Sequence, residues 1–376
     1  MGPENSLTRA QIKRRNRSNI YRVILENPGI SRQEIARALD LSLPTVLNNL
    51  TDLTEEGLVQ KVGALGDTGG RKAYTYGIVP DARTAVGFDI TRHHITAVLI
   101  DLNGEIMSRI RIRMDFQRTD EYMRRLGEIV GSLIAEAGVK KESVLGVGFG
   151  VPGLITEDNQ KVFYGKILDF DDVTLGEFSR YISFDGALFN DADAAAYAEF
   201  HSHPDLENAF YVMLSNNVGG ALIMNGQVWR GRNLCAAEIG HITLDPDGPR
   251  CYCGQKGCMD IYCAATVLDS GYDDSLEKFF GHLRQGEEKA VSIWNEYLDH
   301  LAKAINVLRL LLDCPIILGG YVGAYMNDYI EELRERAEKL YSFQSPASEV
   351  LCCQCRKEAI AAGAALRFIT DYIAAI

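Results

Sequence analysis

The chain has no apolar run long enough to cross a membrane, and its N-terminus lacks the apolar stretch of a secretory signal peptide. It also lacks low-complexity segments and long linkers. Its 376 residues, 47% of them hydrophobic and 24% charged, are typical of a globular protein with two or three domains. Because nine cysteines occur without a secretion signal, we expect reduced thiols and a cytoplasmic location.

Positive charge is scarce overall, since 39 Lys and Arg face 51 Asp and Glu and give a net charge of −12. That balance alone argues against nucleic-acid binding. Residues 1–80 differ, because they hold eleven Lys and Arg against eight Asp and Glu, a net charge of +3 that leaves −15 for the remainder. A small DNA-binding module attached to an acidic body would show this asymmetry.

Three helices are predicted from the apolar spacing of the first 60 residues, at 14–26, at 32–39 and from 43 to about 56. Ser31 and Glu34 form a capping box before the second helix, and Ser42 caps the third. Only Asp40 and Leu41 separate these two helices, which is typical of a helix-turn-helix.

The third helix and the segment after it carry the expected contacts with DNA. Val46, Leu50 and Leu53 are predicted to face the core. Four other side chains are predicted to point away from it and to reach base edges in a major groove, namely Pro44, Thr45, Asn48 and Asn49. Ser42 is expected to hold a phosphate. The alternative for such a helix is a solvated polar face.

A basic wing favours DNA binding over that alternative. Two strands are predicted to flank the turn in GDTGGRKAYTYGI, which would place Arg71 and Lys72 at its tip. In a winged helix-turn-helix, such a tip and the third helix contact the same DNA duplex.

One histidine and three cysteines are spaced as metal ligands in EIGHITLDPDGPRCYCGQKGCMD. The candidate ligands are His241, Cys251, Cys253 and Cys258. Thiolates with one imidazole suit tetrahedral Zn²⁺, and four protein ligands indicate a structural metal because no position stays open for water. Gly254 and Gly257 allow the positive φ of a tight knuckle. The alternative is chance proximity of four unrelated residues.

From Ala85 onward, strands alternate with helices. Three strands are predicted within 85–114, then a helix at 121–137 and a buried strand that ends in GVPG. A second set follows, with strands at AFYVMLSN and GGALIMNGQVWRG, a helix at 290–312 and the strand PIILGG. Asn103-Gly104 and Asn225-Gly226 are hairpin turns. Two such halves, closed by a helix at 358–376, predict two lobes around a cleft.

Three motifs, NDADAAA at 190–196, EIGH at 238–241 and CYCGQKGCMD at 251–260, resemble those of the ROK family of repressors and sugar kinases. The likeness covers almost the whole chain. It implies an α/β fold, the actin-like, two-lobed sugar kinase fold (ribonuclease H-like), preceded by a winged helix-turn-helix domain. The domains implied are a winged helix at 1–80, a first lobe at 81–190 completed by the helix 358–376, and a second lobe with the zinc site at 191–357.

The resemblance also implies a sugar pocket. Its contacts carry over to Asn190, Asp191, Glu238, His241 and Asp260. The family has Glu where this chain has Asp260, so that contact or the sugar itself differs. Carboxylates and an amide suit sugar hydroxyls, which both donate and accept hydrogen bonds. For Asn190 and Asp191 the alternative is a helix cap, which is compatible with binding.

The loops that cradle ATP phosphates in the family's kinases have lost their glycines here. The first loop reads DITRHH at 89–94 where the resemblance implies DxGGT, and the second reads SNNVGG at 215–220 where it implies GTG. Since phosphoryl transfer needs backbone N–H groups close to the phosphates, we expect no enzyme activity and regard Asp191 as a vestigial base. The alternative is an ATP-dependent sugar kinase that retains a DNA-binding domain.

The function predicted is therefore that of a transcriptional regulator, a repressor of carbohydrate-metabolism genes. Its expected partners are an operator duplex, a monosaccharide or derivative, structural Zn²⁺ and at least one more copy of the chain, as a homodimer or tetramer. Sugar would close the cleft and change the spacing of paired DNA-binding domains on a palindromic operator. A response to zinc itself is a third possibility, which a closed ligand shell disfavours.

Overall fold

The computed structural model describes residues 8–65, 73–168, 170–203, 205–343, 349–355 and 358–376. Its first elements are α1 (Arg9–Glu26), β1 (Ile30–Ser31), α2 (Arg32–Ala38), α3 (Leu43–Glu55), β2 (Val59–Leu65) and β3 (Ala73–Ile78). The three predicted helices are confirmed. The antiparallel order β1-β3-β2 adds a short strand that was not predicted, in which Ile30 pairs with Tyr76.

Capping residues set where these helices begin. Thr8 and Gln11 form a capping box, so α1 starts at Arg9 and not at residue 14. The predicted box of Ser31 and Glu34 is confirmed, and the side chain of Ser42 accepts a hydrogen bond from the backbone N–H of Thr45. The three helices pack around a shared core, in which the fully buried residues are Ile20, Tyr21, Ile24, Ile35, Val46 and Leu53.

The next segment builds a five-stranded sheet. Its elements are β4 (Thr84–Ile90), β5 (His94–Ile100), β6 (Ile106–Arg113), α4 (Asp120–Ala137), β7 (Val144–Val151), β8 (Leu154–Ile155), β9 (Val162–Tyr164), α5 (Leu175–Phe178), β10 (Gly186–Asn190) and α6 (Asp191–His201). The strand order is β10-β7-β4-β5-β6, and β7 runs parallel to both β4 and β10. Because Asp89 pairs with Gly150, and Asn190 with Val151, the carboxyl ends of these strands meet at one edge of the sheet.

A second five-stranded sheet follows. Its elements are β11 (Ala209–Leu214), β12 (Val218–Met224), β13 (Gln227–Val228), α7 (Met259–Cys263), α8 (Ala265–Asp269), α9 (Leu276–Arg284), α10 (Glu288–Leu312), β14 (Ile316–Gly319), α11 (Gly320–Gly323), α12 (Ile330–Leu340), β15 (Val350–Cys352) and α13 (Ala359–Ala375). The order is β13-β12-β11-β14-β15, with β11, β14 and β15 parallel. The mixed α/β fold with two hairpin-bearing sheets is thus confirmed.

The final helix, α13, packs on the first sheet and on α6. A Cβ at Gly87 in β4 would overlap the backbone of Ala361, and a Cβ at Gly363 would overlap that of Ala194, so glycine permits both close approaches. Residues of α13 such as Ile369 also share one hydrophobic core with α1 and α3. The limits set above for the three domains stay predictions.

In the described part of the chain, no helix combines the length and apolar character that a membrane span requires.

Candidate functional sites

Asn190 and Asp191 lie where β10 passes into α6. Asn190 is the N-cap of α6, since its Oδ1 accepts from the N–H of Asp193 at 3.0 Å. Its Nδ2 donates to the carbonyl oxygen of Gly153 at 3.0 Å. Asn190 therefore caps α6, and the same side chain fixes the loop after β7; its role as a sugar contact stays a prediction. Asp191 Oδ1 accepts from the N–H of Ala192 at 2.9 Å.

Several carboxyl groups act on Asp191, which is itself half-buried. Burial raises the pKa of Asp191 to about 7, with smaller contributions from the charges of Asp89, Glu238 and Asp193 and an opposing one from the Ala192 N–H. Burial likewise raises the pKa of Asp89 to about 7, against the charge of Arg111. These carboxyls can thus donate or accept a hydrogen bond near neutral pH.

Asp193 links this cluster to a neighbouring cavity. Burial raises its pKa to about 6, and Arg230, whose Nε lies 3.6 Å from Asp193 Oδ2, opposes the shift. The guanidinium of Arg230 also donates to the carbonyl oxygen of Ile155, which ties β8 to α6. A cavity of about 180 Å³ opens here, and its lining includes Glu157, Asn159, Asn190, Asp193, Gln227 and Arg367.

Glu238 and His241 project from a short 3-10 turn that is pressed onto β12. Ile239 in this turn is buried, and a Cβ at Gly240 would overlap the carbonyl oxygen of Val218. Ala237 enters the turn with a φ of 63°, a left-handed conformation that costs energy for a residue with a side chain. Burial raises the pKa of Glu238, and the charge of His241 opposes the shift.

The four predicted metal ligands are brought together. One ligand atom each from His241, Cys251, Cys253 and Cys258 lies within 4.8 Å of all the others. Cys253 Sγ and Cys258 Sγ are 3.7 Å apart, and Cys251 Sγ is 3.8 Å from His241 Nδ1. Zinc–sulfur bonds of about 2.3 Å in a tetrahedron separate two sulfurs by about 3.8 Å. The cluster therefore has the spacing to bind a metal ion.

Backbone hydrogen bonds shape the segment 251–258, which is called the knuckle below. Cys251 donates its N–H to the carbonyl oxygen of Gln255 at 2.8 Å, and Gly254 donates to that of Cys251 at 2.9 Å. Gly254 and Gly257 have the predicted positive φ, 95° and 63°. A Cβ at Gly257 would overlap the carbonyl oxygen of Asp245, so only glycine fits there.

Asp260 is turned inward. Its Oδ1 accepts from the backbone N–H of Val218 at 2.7 Å, and its Oδ2 lies 3.5 Å from Asn217 Nδ2. The residue is only 7% exposed. Its role as a sugar contact stays a prediction.

Tyr252 is a residue that the sequence interpretation missed. It stands between two of the predicted metal ligands, and its Oη lies 3.3 Å from Nε2 of His241. The only signal for it in the sequence is an aromatic residue inside the CYC motif.

The exposed face of α3 agrees in part with the expected DNA contacts. Ser42, Pro44 and Asn48 are exposed, and Thr45 is half-buried. Leu43 and Leu47, which were not among the candidates, are 47% and 43% exposed. Such apolar side chains can contact the thymine methyl group.

The predicted orientation of Asn49 is wrong. It is 4% exposed and lies on the same helical face as Val46, Leu50 and Leu53, because 3.6 residues per turn bring it back to the core. Its Nδ2 donates to the carbonyl oxygen of Thr45 at 2.8 Å. Asn49 therefore cannot reach a base edge in this conformation. Arg71 and Lys72, the expected tip of the wing, lie outside the described residues.

Residues 85–370 match the model of the ROK family, and residues 13–60 match that of a winged helix-turn-helix DNA-binding domain. The chain belongs to the ROK family.

Curated relatives of this ROK chain include repressors. It is 28% identical over 261 residues to the xylose repressor of Bacillus spizizenii, an alignment that covers 68% of this chain and 67% of the relative. It is 27% identical over 303 residues to the DNA-binding transcriptional dual regulator NagC of Escherichia coli, which covers 78% and 72%.

Solved structures share its fold. A ROK family transcriptional regulator described as a homolog of the E. coli MLC protein has a TM-score of 0.77 at 21% identity, and the match covers 96% of this chain and 97% of that one. A ROK family glucokinase from Streptomyces griseus, in complex with glucose and AMPPNP, has a TM-score of 0.63 at 24% identity, with 76% and 98% covered.

In this ROK protein, residues of the segments 89–94 and 215–220 contact other parts of the protein. The guanidinium of Arg92 donates to the carbonyl oxygen of Ile167, and His93 Nδ1 lies 2.8 Å from Asp115 Oδ1. In the segment 215–220, the N–H of Val218 donates a hydrogen bond to Asp260 Oδ1.

Tyr321 lies in α11, directly after β14 of the second sheet. It is 37% exposed, and partial burial, with smaller contributions from the charges of Asp89 and Asp191, raises its pKa to about 12.

Proposed function

We propose that this ROK protein is a DNA-binding transcriptional regulator, a repressor of carbohydrate-metabolism genes, that binds a sugar or sugar derivative in its ROK body. One observation carries the proposal: the winged helix exposes the outer face of α3 and shares a hydrophobic core with the body that holds Asn190, Asp191 and Glu238. The names of the relatives, a xylose repressor and the regulator NagC, fit this function. A regulator of this kind works in the cytoplasm.

The sugar-binding residues in this proposal are Asn190, Asp191, Glu238, His241 and Asp260. The raised pKa values of Asp191 and Glu238 support it, because a partly protonated carboxyl can both accept from and donate to a sugar hydroxyl. The turn that presents Glu238 is packed on β12, so its position is set before the sugar arrives.

We assign structural Zn²⁺ to the cluster of His241, Cys251, Cys253 and Cys258. The sulfur–sulfur distance of 3.7 Å and the soft ligand set support zinc. When bound, the ion would supply a fixed link between the knuckle and the turn that carries Glu238. Four protein ligands leave no position for a catalytic water.

We infer that the body binds sugar without phosphorylating it. The N–H of Val218 cannot donate to a phosphate while it donates to Asp260. Thr91 and Arg92 stand where the first loop would need glycine, and the bulky Arg92 and His93 would occupy phosphate space. The alternative, an ATP-dependent sugar kinase, is favoured by one observation: the pKa of Asp191, about 7, suits a general base. A coupled assay of ADP release over a sugar panel distinguishes the two, since turnover typical of kinases would contradict the sensor.

The regulatory mechanism proposed is a population shift. Asp191 begins α6, α6 packs along α13, and α13 contacts α1 of the winged helix. Sugar would favour a closed cleft and, through these helices, a different spacing of the two DNA-binding domains in a dimer or tetramer on a palindromic operator.

The experiment is an operator selection followed by a ligand titration. Duplexes that bind the purified protein are selected from a random library, and the affinity of the best is measured with and without xylose, glucose or N-acetylglucosamine. We expect a palindromic sequence and an affinity that at least one sugar changes. Failure to enrich any sequence would contradict DNA recognition, and an affinity unchanged by a sugar that binds the protein would contradict sensing.

A further inference from the structure

Two leucines stand on the solvent side of α3. Leu43 and Leu47 are 47% and 43% exposed, whereas Val46, Leu50 and Leu53 of the same helix are buried in the core of the winged domain. Because they are four residues apart, Leu43 and Leu47 lie on one face of the helix, with their Cβ atoms about 5–6 Å from each other. They form an apolar strip along the N-terminal half of α3 that the core does not use.

Few polar groups accompany this strip. The hydroxyls of Ser42 and Thr45 are 2.8 Å apart, and Ser42 Oγ also accepts from the N–H of Thr45. Thr51 is exposed, but its hydroxyl donates to the carbonyl oxygen of Leu47 at 3.0 Å. Asn48 is exposed and presents a side-chain amide. The outer face of α3 therefore offers leucine side chains and one amide to a partner.

Positive charge is absent from this helix. The sequence of α3, LPTVLNNLTDLTE, contains no Lys, Arg or His. Its two acidic residues lie toward the C-terminal end, where Asp52 Oδ2 is 3.2 Å from Lys13 Nζ and Glu55 is exposed. In a helix-turn-helix, the N-terminal residues of the recognition helix contact the bases. Neither a cation nor a carboxylate is therefore placed to read a base edge from α3.

The basic side chains of the winged domain lie on other elements. Arg32 and Arg37 are exposed on α2, and Lys61 is exposed on β2, where its Nζ lies 4.3 Å from the ring centroid of Tyr74. Further basic residues lie on α1, and the segment 66–72 lies outside the described part of the chain. The helix before a recognition helix crosses the DNA backbone, so Arg32 and Arg37 are placed to contact phosphates.

The four bases differ in what they present in the major groove. Guanine presents only acceptors, and its commonest partners are Arg and Lys, whereas the amino group of cytosine suits a carboxylate. Adenine pairs with the amide of Asn, and thymine presents a methyl group that apolar side chains contact. The exposed side chains of α3 fit adenine and thymine and lack the groups that suit guanine and cytosine.

We propose that α3 reads A·T base pairs, with Leu43 and Leu47 in contact with the methyl groups of thymines and Asn48 bonded to adenine. The two leucines are then specificity-determining residues. This inference rests on the proposed function, because it requires α3 to lie in the major groove of an operator, and it adds which bases are read there. It concerns only the base pairs that face α3.

The test removes the methyl groups one at a time. Duplexes that bind the wild-type protein are selected from a random library, and each thymine of the best duplex is replaced by deoxyuridine, which lacks only the methyl group. Affinity is measured by fluorescence anisotropy at one salt concentration, because phosphate contacts make it salt-dependent. The proteins compared are the wild type, Leu43→Ala and Leu47→Ala. Leu340→Ala is the matched control, since Leu340 is also 43% exposed but lies at the end of α12.

We expect deoxyuridine at one or two positions of each half-site to weaken wild-type binding about fourfold, as for the loss of one buried methyl group. Leu47→Ala should bind the unmodified duplex about tenfold more weakly and should lose nothing more when its partner thymine becomes deoxyuridine. Leu43→Ala should behave in the same way at a nearby position. Leu340→Ala should bind as the wild type does. Thermal unfolding should be unchanged in all three variants, because the replaced side chains are exposed.

Three results overturn the inference. Wild-type affinity within about 1.5-fold at every deoxyuridine position would show that no methyl group is read. An equal loss for Leu47→Ala on modified and unmodified duplexes would give the leucine another role. A changed oligomeric state in sedimentation, with unchanged DNA affinity, would assign the strip to contact between copies of the chain. If the library yields no enriched duplex, DNA recognition itself fails, which distinguishes failure of the proposed function from failure of this inference alone.

Discussion

Ser18 donates its hydroxyl to the main-chain carbonyl oxygen of Ile373, 2.7 Å away and 355 residues later in the chain. Both groups are buried. Close by, Arg14 Nε donates to the carbonyl oxygen of Ala375 at 3.0 Å. The first helix of the winged domain is therefore bonded to the last turns of α13, and α13 packs along α6, which begins at Asp191. This is a continuous path of packed helices from the proposed sugar site to the DNA-binding domain.

Ser18→Ala tests that path. The variant leaves the Ile373 carbonyl without its partner, which should lower the free energy of unfolding by roughly 1–2 kcal/mol. We expect sugar affinity to stay unchanged and the effect of sugar on DNA affinity to fall. Urea unfolding, calorimetry and fluorescence anisotropy with labelled operator measure the three quantities.

Ser132→Ala is the control, since the hydroxyl of Ser132 bonds within α4 in an exposed position. If Ser18→Ala keeps both its stability and its full response to sugar, the contact between α1 and α13 plays no part in coupling.

Cys253→Ser removes one of the proposed zinc ligands. We expect loss of zinc, a loosened turn at Glu238 and a weakened sugar response, while the winged helix stays folded because its own core is distant from the knuckle. Zinc content, sugar binding and DNA binding are measured on the same preparation. Cys235→Ser is the control, because Cys235 is an exposed cysteine outside the cluster. A metal-free Cys253→Ser protein that responds to sugar normally would show that the pocket is elsewhere.

Asn48→Ala and Asn49→Ala separate DNA reading from folding. Asn48 is exposed on α3, so its loss should lower operator affinity by about 1–3 kcal/mol and relax selectivity at one base pair, without changing thermal stability. Asn49 is buried and bonds to the Thr45 carbonyl, so its loss should change stability and leave base selectivity as it was. Binding to a set of operators with single base changes, and thermal unfolding, check both statements. The reverse pattern would contradict the orientation of α3.

Asp89→Asn tests the electrostatics of the cleft. The pKa of Asp89 is raised from the usual 3.8 to about 7, so the folded protein binds more protons than the unfolded chain between these values. As the pH rises from 4 to 7, the ionisation of this carboxyl therefore lowers the free energy of unfolding of the wild type, by up to about 4 kcal/mol. We expect Asp89→Asn to gain stability relative to the wild type over this window, as measured by urea unfolding at pH 4.5 and pH 8.

Asp120→Asn is the control of opposite sign. Tyr181, Arg124 and Arg180 hydrogen-bond the carboxylate of Asp120 and lower its pKa. Its stabilising contribution is present at neutral pH and is lost on acidification, so this variant should differ most from the wild type at high pH. If the difference in stability between Asp89→Asn and the wild type is the same at both pH values, the surroundings of Asp89 are well hydrated.

Local sequence signals were sufficient for the elements that depend on neighbouring residues. The capping box of Ser31 and Glu34, the glycines of the knuckle and the Asn225-Gly226 turn each act within a few residues, and the structure has them as predicted. The convergence of His241 with three cysteines could also be predicted, since their spacing in the sequence is typical of residues that bind one metal ion.

Contacts between distant segments could not be predicted. The bond from Asp260 to Val218 spans 42 residues, and that from Tyr252 to His241 depends on how the knuckle folds back. Asn49 was misplaced because a polar residue type suggested an exposed face, whereas the helical period puts it beside Val46 and Leu53. The pairing of β1 with β3 involves only two residues, too few to give a pattern.

The most direct measurement is the affinity of the selected operator at increasing concentrations of a neutral sugar, with ADP release followed in parallel in the presence of ATP. A sugar-sensing regulator predicts that saturating sugar changes DNA affinity by at least about fivefold, in line with usual coupling energies, and that no ADP is released. DNA affinity that stays constant while the sugar is bound, or steady ADP release, would contradict it.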